Sequence, residues 1–437
     1  MAKKMSVKIN YEDTINYIMS SLPMYQRSGG AAYKANLNNT IALLDYLNNP
    51  QKKFKSVHIA GTNGKGSVSH CLASIFQEAG YKTGLYTSPH LADFRERIRL
   101  NGKMIEKSFI TEFINKHKDF LNHIKPSFFE MSVGLAFDYF SKKNIDIAII
   151  ETGMGGRLDS TNLISPELSI ITNIGYDHTQ FLGNTLKEIA TEKAGIIKDK
   201  TPVLIGESNA ETKNVFISKA KEKNSEIYFA DNIVKYEINS QNLLLPKLDI
   251  NIQTKKYKYR ILSPLAPDYQ IKNIKTIVAA AEILKNCGYK ILKNNIANGI
   301  KNVVVNTSFK GRWSIFGKKP SIIMDTAHNA DGLEYISKTL KSLKCDTLRM
   351  VIGMVDDKEH EKMLKILPKN AKYYICKPNV PRGFDEKKLF EITKKIGLNS
   401  KCFSSVKIAL KEAKKDASPN DIIYVGGSTF TVADALK

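Results

Sequence analysis

A glycine-rich turn between a short apolar run and a helix-length segment sets the tightest limit on this chain. Residues 58–67 read His58-Ile59-Ala60-Gly61-Thr62-Asn63-Gly64-Lys65-Gly66-Ser67. The run Lys55–Ala60 predicts a strand, and Ser67 to Ala79 predicts a helix closed by Gly80. A strand, a glycine turn with a lysine, and a helix N-terminus together aim backbone N–H groups at a polyphosphate. The spacing departs from G-x-x-x-x-G-K-[ST], because Ile59 holds the first glycine position and Gly66 separates Lys65 from Ser67. That departure points away from GTPases and motor ATPases and toward ATP-dependent amide ligases.

Downstream, Lys82 to Thr87 predicts a second strand. Arg97–Ile105 predicts a hairpin, because Asn101-Gly102 suits the φ > 0 geometry of a tight turn. Helical stretches are expected at about 108–122 and 128–142. Asp146–Ile150 then makes a buried strand with Glu151 at its carboxyl end, and Leu168–Asn173 makes another. Thr185–Glu188 is a capping box that opens a helix running through Ile197. Such alternation implies a mainly parallel sheet covered on both faces.

Residues 206–268 are lysine-rich and show no readable pattern, and a helix near 271–286 closes the first unit. The pattern restarts near Asn306 to Lys310. Strands are predicted at Ser321–Asp325, Thr347–Gly353, Lys372–Cys376 and Asp421–Val425. A chain of 437 residues can bury two cores. The expectation is α/β: a P-loop-containing, parallel-sheet ATP-binding domain over residues 1–305, then a smaller Rossmann-like domain over residues 306–437.

The net charge is +23, from 66 Lys and Arg against 43 Asp and Glu, which suggests anionic partners. The basic residues are mostly scattered lysines without arginine and aromatic clusters, so neither nucleic acid nor a membrane is expected as partner. Cys71, Cys287, Cys345, Cys376 and Cys402 form no C-x-x-C pattern, which fits buried thiols in a reducing cytosol. No signal-peptide core is visible and no run approaches the ~20 apolar residues of a membrane span. A cytoplasmic location is expected.

Glu151 is the best-placed acid. A carboxylate just beyond a buried parallel strand faces the crevice where ligands bind, and an oxygen ligand suits a hard cation. Gly153, Gly155 and Gly156 after it permit close backbone approach. His178, in Asp177-His178, is by itself more often solvated than a ligand. Lys193 lies inside a predicted helix, where a lysine is ordinarily exposed. Arg312 and the run Asp325-Thr326-Ala327-His328-Asn329 belong to the second domain, from which they could reach a nucleotide held by the first.

Taken in order, these motifs form one pattern. It comprises His58–Ser67, Tyr86–Leu91, Glu96–Arg99, Phe129-Glu130, the Glu151 glycine run, Ile171–Gly183, Glu192–Gly195, Gln270–Asn273, Gly311–Trp313 and Asp325–Asn329. The chain resembles the folylpolyglutamate synthase and dihydrofolate synthase family of the Mur ligase superfamily, throughout its length except 206–268. The resemblance implies that Gly61, Thr62, Asn63, Gly64, Lys65, Gly66 and Ser67 hold the phosphates of ATP. Ser88 and Glu151 would bind one Mg²⁺, and His178 with Lys193 would help bind a second. Lys193 would be carbamylated, and a monovalent cation is a further ion the resemblance admits. Asn273 would contact adenine, while Arg312 and Asp325 would grip the nucleotide from the second domain. His328 and Ser428 would lie near the incoming glutamate, with Lys65, His178, Lys193 and His328 as the catalytic groups. Phe129, and Tyr25-Gln26-Arg27, would line the pterin pocket.

The implied substrates are dihydropteroate or tetrahydrofolate, L-glutamate and ATP, handled by a monomer carrying both synthase activities. Thr326 and Ala330 stand where the family commonly has the Gly and Pro of Asp-Gly-Ala-His-Asn-Pro. A Mur-type cell-wall ligase, a nucleic-acid-dependent ATPase and a non-catalytic nucleotide-binding regulator remain as alternatives. The segments Ser88–Leu91 and Glu96–Arg99 favour the folate branch over the cell-wall one.

Overall fold

Ile147-Ala148-Ile149-Ile150 lacks any polar alternation, as a strand buried on both faces requires. In the computed structural model, which describes residues 10–23, 36–356 and 358–437, it lies near the middle of an eight-stranded sheet. The strands are β1 (Lys55–Ala60), β2 (Thr83–Tyr86), β3 (Ile98–Leu100), β4 (Lys103–Met104), β5 (Ile147–Glu151), β6 (Leu168–Ile171), β7 (Val203–Ile205) and β8 (Ile227–Phe229). Their order is β4-β3-β2-β5-β1-β6-β7-β8, parallel from β2 to β8, with β3 and β4 as an antiparallel margin. The predicted hairpin is present, with Asn101 at φ 45° and Gly102 at φ 75°.

Helices cover both faces. The loop helix Lys65–Glu78 buries Val68, Leu72, Ile75 and Phe76 in one core with the helices Asp268–Asn286 and Lys293–Lys301. The helices Lys107–Ile124 and Phe128–Lys142 build the opposite core. Pairing of Ile59 with Glu151 sets the ends of β1 and β5 side by side, so the glycine turn emerges next to the acid. The capping box at Thr185 and Glu188 is formed, but its helix runs from Leu186 to Ala194 and stops short of Ile197. Gly195 packs directly on the Arg157 backbone there, and Ile196 and Ile197 turn into the core.

Residues 206–268 are the main correction to the sequence reading. They contain a helix (Ala210–Glu222) and an antiparallel meander of β9 (Lys235–Asn242), β10 (Lys247–Gln253) and β11 (Lys258–Ser263). Leu248, Ile250 and Ile252 of β10 face the core, whereas β9 is exposed along its whole length. In β10 Leu248, Ile250 and Ile252 alternate with Asp249, Asn251 and Gln253, a two-residue period that the sequence reading overlooked.

A second sheet holds β12 (Ser314–Phe316), β13 (Ser321–Met324), β14 (Leu348–Ile352), β15 (Ala371–Cys376), β16 (Asn399–Phe403) and β17 (Ile422–Gly426), in the order β12-β13-β17-β14-β15-β16. All but β12 are parallel. The sequence reading missed β12 and β16, the partly exposed strands at the two margins. The carboxyl ends of β13, β14 and β17 lead into Asp325–Asn329, the loop bearing Val355 and Lys358, and Gly427-Ser428. Ligands of open parallel sheets bind at such ends. Among the described residues, no helix is long and apolar enough to cross a membrane.

Candidate active site

The glycine turn is shaped by its own backbone. Gly64, at φ 85°, caps the loop helix in the left-handed region, and a side chain there would run into the Asn273 amide. Asn63 N–H donates to Asn173 Oδ1 at 2.8 Å, and Thr62 Oγ1 donates to the Gly175 carbonyl at 3.0 Å. Lys65 Nζ donates to the carbonyls of Gly61 (2.9 Å) and Thr62 (3.2 Å). Burial pushes the Lys65 ammonium below its ordinary pKa, against the pull of Glu151 and Asp177. Gly66 places its Cα face toward the Glu151 carboxylate, while Ser67 is buried at the start of the helix.

Glu151 is 4 % exposed, and its Oε2 accepts from Ser88 N–H at 3.1 Å. Burial raises its pKa to about 7, although Lys65, Arg312 and Arg97 all favour the anion. Lys193 departs from the ordinary exposure of a helix lysine, as the role implied by the resemblance requires. It is not an exposed helix lysine but is 4 % exposed, with Nζ donating to the Gly61 carbonyl at 3.1 Å. Burial first, and Lys65 second, lower its pKa to about 7. Its helix turns Ile189, Ala190, Lys193 and Ala194 inward, so Lys193 sits at i+4 from Ile189 and i+3 from Ala190 on the buried face.

His178 adopts a left-handed backbone at φ 51°, and burial lowers its pKa to about 4, so its imidazole is neutral at pH 7. Its neighbour Asp177 joins the two sheets. Asp177 Oδ1 pairs with Lys358 Nζ at 3.0 Å, and Oδ2 lies 3.4 Å from His328 Nε2 and accepts from Asn329 Nδ2 at 3.1 Å. Burial alone would raise Asp177, but its interaction with His178, the hydrogen bond from His328 and the Lys358 ammonium outweigh it and hold the acid well below the usual carboxylate range. Asn329 also exchanges amide hydrogen bonds with Asn63 of the phosphate loop, at 3.2 and 3.3 Å.

Two cavities flank this region. The smaller, about 50 Å³, is lined by Asn63, Gly64, Ser67, Asn273, Arg312 and Asp325, so the expected nucleotide residues of both halves meet there. Asp325 is also engaged within the protein: Oδ2 accepts from Tyr269 O–H and Trp313 N–H, and Oδ1 from Ala327 N–H, each at 2.8 Å. Its carboxylate shapes the Gly311–Trp313 loop that carries Arg312. The larger cavity, about 220 Å³, has Phe128, Phe129, Met154 and Phe430 on its walls and Ser88, His178, His328 and Ser428 among its polar groups. Ser428 is buried, and its Oγ caps the final helix by accepting from Thr431 N–H at 3.1 Å. Tyr25, Gln26 and Arg27 lie outside the described residues.

Several groups on the larger cavity escaped the sequence reading: Arg97, Asp159, Lys358 and Arg382. Asp159 follows the glycine run closely and could have been noticed there. Lys358 and Arg382 sit in loops after β14 and β15, where only the three-dimensional topology reveals their direction.

The donor set fits a divalent cation that also binds phosphate. No group of three or more His, Cys, Asp or Glu side chains able to hold a metal occurs among the described residues. Glu151, beside Ser88 and the phosphate loop, therefore offers one carboxylate, and nucleotide oxygens would complete the shell. Mg²⁺ is typically bound in this way, through one or two carboxylates plus substrate phosphates. A carboxylate raised by burial is also one that a cation would return to the anionic form.

Comparison with known proteins agrees with this geometry. Residues 59–281 match the Mur ligase middle domain, and residues 311–429 match the Mur ligase, glutamate ligase domain. A dihydrofolate synthase/folylpolyglutamate synthase from Bacillus subtilis is 32% identical, covering 98% of this chain and 98% of its own length. A probable bifunctional folylpolyglutamate synthase/dihydropteroate synthase from Haloferax volcanii is 29% identical over 98% of this chain, which spans 50% of that longer relative. A solved bifunctional folylpolyglutamate synthase/dihydrofolate synthase with Mn, AMPPNP and L-glutamate bound has a TM-score of 0.82 at 26% identity, covering 98% of this chain and 97% of that one. With its phosphate loop, two parallel sheets and matching ligase domains, the chain belongs to the dihydrofolate synthase/folylpolyglutamate synthase family of ATP-dependent Mur ligases.

Proposed function

We propose that the protein joins L-glutamate to a pterin- or folate-linked carboxylate through an acyl phosphate, releasing ADP and phosphate. The observation that carries this reading is the pairing of a phosphate-loop cavity with an aromatic-walled one whose rim holds Ser88, His178 and His328. In the first step, an oxygen of the acceptor carboxylate attacks the γ-phosphorus, and the bond to ADP breaks. In the second, the glutamate amine attacks the acyl carbon, phosphate leaves with the bonding electrons, and the amine gives up a proton. Lys65 and the loop amides hold the phosphates where charge shifts during transfer. Arg312 reaches the same nucleotide from the second sheet, and Asn273 lies at the adenine end.

Divalent ions, when bound, offset the repulsion between carboxylate and phosphate. Ser88 and Glu151 would hold one, and His178 with a carbamate on Lys193 would hold a second. The lowered pKa of Lys193 supports the modification, because only the neutral amine attacks CO₂. Phe129 offers a face to the pterin. Lys358 and Arg382, beside His328 and Ser428, form a cationic wall suited to the two carboxylates of glutamate. A monovalent cation would be a further ion of this anion-rich centre.

One chain supplies both cavities, which supports action as a monomer. Five free thiols fit a cytoplasmic setting. Both synthase activities are assigned to the one site. Incubation with ATP, L-glutamate and either 7,8-dihydropteroate or tetrahydrofolate tests this: glutamylated product is expected from each. Turnover of tetrahydrofolate alone, under matched conditions, would remove the dihydrofolate synthase activity from the assignment.

A further inference from the structure

His58 is fully buried on β1, just before the phosphate loop, and has no place in the chemistry above. Its Nε2 lies 2.8 Å from Thr161 Oγ1, which donates to Asp159 Oδ1 at 2.5 Å. Asp159 Oδ1 also accepts from Thr161 N–H at 3.0 Å, and Oδ2 accepts from the amides of Gly153 (2.8 Å) and Met154 (2.9 Å). Thus one buried carboxylate on the wall of the larger cavity pins the backbone just beyond Glu151.

The proton count fixes the direction of the chain. The single hydroxyl proton of Thr161 is committed to the carboxylate, so Thr161 Oγ1 can only accept from His58. Nε2 therefore carries the imidazole proton, and Nδ1 is a bare lone pair. Consistently, Nδ1 is buried with no hydrogen-bond partner. Burial, with Lys198 nearby, lowers the His58 pKa to about 3, so the ring stays a neutral donor across the working range of pH.

We infer that His58 is a positioning residue, which through Thr161 locks Asp159 and the Gly153-Met154 backbone in the shape that receives the acceptor substrate. The inference rests on assigning the aromatic-walled cavity to the acceptor. It predicts a defect in acceptor binding rather than in nucleotide binding. Linked hydrogen bonds of this kind polarise one another, so loss of either end should loosen the whole relay.

The test uses the full-length protein and steady-state kinetics with ATP, L-glutamate and dihydropteroate or tetrahydrofolate. Thr161→Val keeps the side-chain shape and removes the hydroxyl, Thr161→Ser keeps the hydroxyl, and His58→Gln keeps an N–H donor. Thr161→Val and His58→Phe should each raise the acceptor KM about two- to tenfold, the loss of one buried hydrogen bond, with the KM for ATP unchanged. Thr161→Ser and His58→Gln should restore most of the affinity. The double variant should be no worse than the weaker single variant, because both remove the same relay. An unchanged acceptor KM in folded Thr161→Val, or fully additive losses in the double variant, would overturn the relay. If His58→Phe does not fold, the Thr161 pair carries the same test. Wild-type turnover of the acceptor reports separately on the ligase assignment, so failure of that reading is distinguishable from failure of the relay.

Discussion

Glu151→Gln should make the empty protein more stable at alkaline pH while removing its activity. The native carboxyl ionises near 7 instead of 4.5, so the folded state binds a proton that the unfolded chain has already released between those values. The stability tied to that proton is fully present below about 4.5 and is lost as pH rises through 7. The shift corresponds to about 3 kcal/mol at pH 8. Glutamine keeps the shape and escapes this cost. Part of the gain is returned, because Lys65 loses the carboxylate that offsets its own burial. Urea unfolding without nucleotide or metal, at pH 5 and pH 8, should show little difference at pH 5 and up to about 3 kcal/mol in favour of the variant at pH 8. Ligase activity of the same variant should fall ~10²-fold or more, since one electrostatic partner at the transferring phosphoryl group is gone. A variant destabilised equally at both pH values, or one that keeps full activity, would refute the reasoning.

Lys65→Ala should lose most of kcat, by ~10²-fold or more, in an assay coupled to ADP release. Lys193→Ala should fold normally yet lose most activity, with partial rescue by a small carboxylate in excess. Lys193→Arg should stay inactive because a guanidinium remains cationic. In ¹³CO₂-labelling NMR a carbamate signal should vanish in both, and an unmodified Lys193 in a fully active enzyme would contradict the assignment. Activity at limiting bicarbonate should rise with pH through about 7, where the Lys193 amine loses its proton, and an acid limb lying well away from that value would count against the assignment. Lys358→Ala should raise the KM for glutamate about 10- to 100-fold, the loss of one charge-assisted hydrogen bond, with the KM for ATP less affected.

The parts of the fold that could be read from the sequence are those whose local chemistry matches their tertiary setting. The Asn101-Gly102 turn, the Thr185–Glu188 capping box and the unbroken apolar run of β5 each carry their own signal. The phosphate loop was legible for the same reason: its glycines and lysine fix both shape and ligand. Elsewhere the decisive facts are non-local. Lys193 shares the inward face of its helix with Ile189 and Ala190, but its hydrogen-bond partner, the Gly61 carbonyl, is far away in sequence. The meander at β9–β11 was overlooked although β10 carries a clear apolar alternation, because β9 beside it is exposed along its length. Asp325 was legible as a residue of the smaller cavity, but not its second role of holding the loop that bears Arg312. Asp177 gains its partners only when β13 and β14 bring His328, Asn329 and Lys358 to it.

The most direct test of the central claim follows both products of a single reaction. Purified protein with Mg²⁺, ATP, L-glutamate and tetrahydrofolate is quenched over time and resolved for nucleotides and for pterin species. The account predicts one glutamylated pterin and one phosphate for each ADP formed, with no product when the acceptor is left out. Stoichiometric AMP and pyrophosphate, or ADP released without any new amide, would contradict it.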